Sequence, residues 1–119
     1  MTTTSERVAA NEIRLSGYLS APPDIKELES GATIVLLRVV VRRPDGERID
    51  SLPVAVGPHP RKGERRAAGQ AAARTVKRAA TLEEGDEVVV SGWLQRRFWD
   101  AGGQRRSRLQ VVAETVERC

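Results

Sequence analysis

From Asp86 the chain reads DEVVVSGWLQRRFW, and Val88, Val90, Gly92 and Leu94 alternate with Val89, Ser91, Trp93, Gln95, Arg97 and Trp99. A period of two predicts a strand with one face against a core. By the same alternation Phe98 falls on the Val88/Leu94 side and is expected in that core. The opposite face carries two indoles and a guanidinium at strand spacing, which suits stacking of planar ligands and attraction of phosphates. The turn Asp100-Ala101-Gly102-Gly103-Gln104 sends the chain back into a strand expected over Arg108 to Val116.

The rest of the chain repeats the pattern. Ile13, Leu15, Gly17 and Leu19 alternate with Glu12, Arg14, Ser16 and Tyr18, a first strand that Ala21-Pro22-Pro23-Asp24 ends. The acidic stretch to Ser30-Gly31 reads as a loop. Thr33 to Val41 is β-branched or leucine except at Arg38, so a second strand is expected there, covered on both faces by a closed barrel or a subunit contact. Pro44-Asp45-Gly46 is hairpin chemistry. Ile49 to Val56 is a third strand, which Pro53 makes an edge or bulged one. After Gly57-Pro58-His59-Pro60, residues Arg61 to Ala80 form the one helical pattern, with Ala68, Ala72, Val76 and Ala79 on a shallow apolar face; Gly63 and Gly69 weaken its first half by roughly 1 kcal/mol each. The expectation is an all-β domain over residues 11–117, preceded by a flexible N-terminus (1–10): five strands in a Greek-key barrel of the OB-fold type, with one helix between the third and fourth. Gly17, Gly31 and Gly92 are where such strands coil.

At 119 residues the chain is long enough for one core without disulfide or metal help, and the lone Cys119 allows no internal disulfide. No stretch approaches the roughly 18 apolar residues that cross a membrane. A soluble cytoplasmic protein without a signal peptide is expected. Charge is uneven: residues 1–60 hold seven basic against eight acidic side chains, residues 61–119 thirteen against eight. The positive second half points to a polyanion. Seventeen of the twenty basic residues are Arg in an Ala-rich chain, so some arginines are simply solvated surface.

The segment Asn11 to Leu19, the apolar strand after Ser30-Gly31-Ala32, and Val88 to Leu94 running into Arg97-Phe98-Trp99 and Val111-Val112-Ala113 together resemble the bacterial single-stranded DNA-binding proteins of OB-fold type. The resemblance spans about residues 8–116. It implies homo-oligomers, tetramer or dimer, that bind single-stranded DNA in replication, recombination or repair, nucleoid-associated, with bases stacked on aromatics. Trp99 alone keeps a matched aromatic position, with Phe98 and Trp93 as candidate local substitutes for the others. Asp50-Ser51-Leu52, Arg42-Arg43-Pro44 and Val56-Gly57-Pro58 stand where the family places further aromatics, and the family's acidic C-terminal tail is not expected here. A short, aromatic-poor chain is also similar to primosomal replication protein N, which implies a protein-assembly role as the alternative.

The DNA contacts expected are Trp99 and Trp93 for stacking, and Arg96, Arg97, Arg105, Arg106 and Arg108 around the last hairpin for phosphates. Arg42 and Arg43, beside Arg48 on the second-to-third strand turn, are further candidates. The basic segment 61–78 is either a partner surface or a solvated helix face. Single-stranded RNA is a further possible ligand, since stacking does not read the 2′-hydroxyl. His59 has no second ligand for a metal, and the turn carboxylates Asp45, Glu47, Glu83, Glu84 and Asp86 have no partnered base. No phosphate loop or nucleophile elbow occurs. An enzyme, a cofactor, a metal and a small-molecule substrate are not expected.

Overall fold

The computed structural model describes residues 10–29, 31–57 and 66–119, and the side chains among these except 66–72. Residues 1–9 of the expected flexible N-terminus and the segment 58–65, with His59, Arg61, Lys62 and Arg65, lie outside the described residues. The elements run β1 (Ile13–Leu19), β2 (Asp24–Glu27), β3 (Thr33–Arg42), β4 (Ile49–Val56), α1 (Arg66–Ala80), β5 (Glu87–Ala101) and β6 (Gln104–Arg118). They form one sheet in the order β1-β5-β6-β4-β3-β2, and β1 turns back onto β3 through Tyr18–Val40 and Leu19–Val39, so the sheet closes into a ring.

The fold is mainly β, as the alternation implies, but with six strands rather than five. Asp24–Glu27, expected as loop, is an edge strand registered against Thr33–Leu36. All four of its residues are exposed, so it has no buried face to imprint an alternation. It forms because the end of β3 that β1 does not reach still has backbone groups to satisfy. Pro53 has a comparable positional logic. β4 pairs with β3 along its length but with β6, in parallel, only over Val54–Val56. The proline thus sits just outside the doubly paired segment, where its missing N–H costs no ladder bond.

Inside the ring, alternate residues pack together: Leu19 from β1, Val35, Leu37 and Val39 from β3, Val54 and Val56 from β4, Val88 and Val90 from β5, and Val111, Ala113 and Val116 from β6. Full burial of each Val or Leu contributes about 1.5–3 kcal/mol. Helix α1 closes one end with Ala79 in the core and Val76 and Ala80 against it. The double cover expected for the second strand is explained largely by this closure: Val40, on the outer face opposite Tyr18, is only 3% exposed. Leu36 and Arg38 stay accessible on that outer face.

Two close approaches set the shape. A Cβ on Gly17 would run into the Val40 carbonyl, at the point where β1 passes from β5 to β3. A Cβ on Gly92 would run into the Val112 carbonyl. Here the β5–β6 register shifts: Ser91 faces Thr115 while Gly92 faces Ala113, so Glu114 is the extra residue of a bulge on β6. Its carbonyl accepts a hydrogen bond from the Thr75 hydroxyl of α1 at 3.2 Å. The bulge explains why the buried face of β6 steps from Ala113 to Val116 rather than to Thr115.

Beyond the ring, β5 and β6 continue as a two-stranded arm, paired from Gln95–Gln110 to Ala101–Gln104. The Asn11 side chain fastens its base, donating to the Leu94 carbonyl at 2.7 Å and accepting from the Leu94 amide at 2.8 Å. A side chain thereby extends the β1–β5 ladder beyond its last strand pair.

Candidate nucleic-acid interface

Alternation along the arm deals its side chains to two faces. Cross-strand partners share a side, so Arg97 with Arg108, and Trp99 with Arg106, point one way. That side looks back over the ring into a groove of about 560 Å³. The arm supplies Arg97, Trp99, Arg108 and Gln110; β3 supplies Leu36 and Arg38, β4 Pro53, and the chain around β2 Ala21, Pro22 and Asp24. Trp99 is 37% exposed, so it has room for a stacking partner while its base is held. The apolar Leu36, Pro22 and Pro53 interrupt the charged lining.

The charge of the groove is largely uncompensated. Among the described residues no ion pair engages Arg38, Arg97 or Arg108. Arg38 makes only a long 3.4 Å hydrogen bond to the Ser51 hydroxyl. The one carboxylate in the lining, Asp24, lies 3.8 Å from Lys26. A phosphate 4 Å from a guanidinium gains about 1 kcal/mol in bulk water and about 4 kcal/mol where the local dielectric is near 20. Three such donors around one aromatic platform suit a polyanion with planar groups.

The five arginines of the last hairpin are divided between the two faces of the arm. Arg97, Arg106 and Arg108 share the Trp99 side. Arg96, bonded to the Ser107 hydroxyl at 3.1 Å, and Arg105 lie on the reverse side. Phe98 is there too, 52% exposed, with the Arg105 guanidinium carbon 4.7 Å from its ring centroid. The expectation of a core Phe98 is therefore wrong. Its alternation is as read, but the face it shares with Val88 stops being interior near Leu94, itself 40% exposed, because the arm has left the ring.

Trp93 shares the Trp99 face, because the bulge lies before it and β5 alternates without interruption from there. It is half-buried opposite Val112 and outside the groove lining. Six residues along a strand put it about 20 Å from Trp99, so one short ligand in the groove does not reach both.

Arg42 and Arg43 also stand apart from the groove. Arg43 is held in a two-pronged ion pair with Asp50 across the β3–β4 hairpin, at 2.9, 3.1 and 3.3 Å. That hydrogen bonding, more than simple charge attraction, raises the Arg43 pKa and lowers the Asp50 pKa. The turn is set by Asp45, whose carboxylate accepts from the Glu47 and Arg48 amides at 2.9 and 3.1 Å. Arg42 is exposed. On α1, Arg74, Lys77 and Arg78 are exposed, and Lys77 and Arg78 in the last turn complement the helix dipole.

Arg38, Pro53 and Gln110 escaped the sequence reading as site residues. Arg38 carried a signal, being the one charge in an otherwise apolar strand. Among the described residues no cluster of three His, Cys, Asp or Glu side chains could hold a metal ion, and no helix is long and apolar enough to cross a membrane. No family model matches the chain, and no curated protein is significantly similar to it.

Proposed function

We propose that this chain is an OB-fold module that binds single-stranded DNA with little regard to sequence, protecting or organising it in replication, recombination or repair. The observation that carries the reading is the groove in which Trp99 stands beside Arg97 and Arg108, neither in an ion pair among the described residues, and across from Arg38. A base stacks on the indole and rests on Pro53 and Leu36, while the guanidiniums take the flanking phosphates. Every base has a π-face and every nucleotide a phosphate, so neither contact selects a sequence. The closed ring, with β1 shared between β5 and β3 and one helix between β4 and β5, supports the OB-fold reading. The family resemblance implies a homo-oligomer of such modules.

Trp93 and Trp99 are the only tryptophans, so intrinsic fluorescence during titration with oligo-dT reports on this face directly. Quenching that saturates, weakens with salt and is largely lost in Trp99→Ala supports the proposal. The variant loses about 5- to 150-fold in affinity if one base stacks there. Absence of both quenching and a mobility shift at low salt overturns it, and the basic helix as a protein-contact surface becomes the reading to pursue.

A further inference from the structure

The reverse side of the arm has the same ingredients as the groove side, and it separates Arg96 and Arg105, expected as phosphate contacts, from the groove. It presents Leu94, Arg96, Phe98 and Asp100 from β5 and Arg105, Ser107 and Leu109 from β6. Phe98 and Leu109 are about half exposed, at 52% and 49%. Asp100 faces Arg105 in the ladder, yet the Arg105 guanidinium lies over the Phe98 ring instead of forming an ion pair. One side of the ring is thus covered by a cation that makes no ion pair among the described residues, while about half of the Phe98 surface stays exposed. An apolar protein partner fits poorly. Two guanidiniums interrupt the apolar strip and would have to be desolvated, and three side chains fall far short of the roughly 800 Å² per partner of a stable interface.

Resting on the reading of the groove given above, we infer that this reverse side is a second nucleic-acid contact, with Phe98 as its stacking platform and Arg96 and Arg105 as its phosphate contacts. The arm is only a two-stranded ribbon, and its tip is Gly102-Gly103. A strand leaving the groove past Trp99 can pass the tip without meeting a side chain at either glycine and arrive at Phe98. The arm is then enclosed by one strand on both faces, and the site is longer than the groove.

The test compares anisotropy titrations of labelled oligo-dT of about 5 and about 16 nucleotides, spanning the usual range of site sizes. Phe98→Ala and Phe98→Leu each lower affinity for the long strand about tenfold and leave the short strand within about twofold. Arg105→Ala does the same with a smaller loss. Leu keeps the apolar area but not the π-face, so a loss shared by Ala and Leu marks stacking. Unchanged long-strand affinity in both Phe98 variants overturns the inference. So does a change in mass by light scattering in Phe98→Ala with DNA binding intact, which makes the face a protein contact. If the wild type binds neither oligonucleotide, the function proposed for the groove falls, and this inference with it.

Discussion

Arg108 gives the sharpest test of how the groove works. Three guanidiniums line it, those of Arg38, Arg97 and Arg108, and none is committed to a carboxylate among the described residues. If each neutralises one phosphate of a short strand, log K falls against log salt with a slope of about −2.1, since single strands contribute about −0.7 per phosphate. Raising salt from about 50 to about 200 mM then weakens binding about 18-fold. Arg108→Ala removes one contact, the slope becomes about −1.4, and the same salt step costs about 7-fold. Arg108→Lys restores the steeper slope, because a phosphate asks for charge before geometry. Arg43→Ala is the control: that guanidinium is tied to Asp50 and outside the groove, so the slope keeps its wild-type value. The assay is an anisotropy titration of an oligo-dT of about six nucleotides at four salt concentrations, with circular dichroism to show that each variant is folded. An unchanged slope in Arg108→Ala, or an equal change in Arg43→Ala, refutes the reasoning, because the positive field would then belong to the whole surface and not to this groove.

Three further outcomes follow from the fold. Gly92→Ala forces a methyl against the Val112 carbonyl, a backbone obstacle that cannot rotate away; thermal or urea denaturation should show a loss of about 1–3 kcal/mol. Asn11→Ala removes both hydrogen bonds to Leu94; hydrogen exchange at the Leu94 amide should quicken, with a stability loss of about 1 kcal/mol, while the core valine amides change in step with global stability only. The hydrogen bonds from Arg43 lower the Asp50 pKa in the folded state, so the stabilisation is present above the ordinary carboxylate value near about 4 and is lost as pH falls through the lowered one. Nuclear magnetic resonance titration of Asp50 should therefore give a midpoint below that of Asp50 in Arg43→Ala, and equal midpoints would count against the ion pair.

Most of the strand framework was legible because burial of alternate residues writes itself into the chain: β1, β3 and β4 fall where Ile13 to Leu19, Thr33 to Val41 and Ile49 to Val56 alternate or run apolar. What could not be read depends on partners far away in sequence. β2 has no buried face. The bulge at Glu114 exists because Gly92 admits the Val112 carbonyl. Phe98 shows the general limit, since alternation assigns a side chain to a face but does not say how far that face stays inside the ring. The Trp99 platform and its arginines were legible as a cluster. Their division between two faces follows from the β5–β6 register, and the groove itself needs Arg38 and Pro53, which only the closed sheet brings opposite Trp99.

The arm repeats its chemistry in doublets. Arg96-Arg97, Phe98-Trp99 and Arg105-Arg106 each hand one member to either side of the ribbon. A one-residue slip of both strands would leave much of this composition in place: each face would exchange Trp for Phe and two arginines for their neighbours, and still hold an aromatic ring beside positive charge, with only Arg108, flanked by Ser107 and Leu109, lacking a substitute. Core strands have no such tolerance, since a slip there would carry Val88 and Val90 into water. The surface chemistry of the arm is therefore less exposed than the core to errors of alignment, and length changes at the Gly102-Gly103 tip are where the chain can vary and keep most of what either face presents.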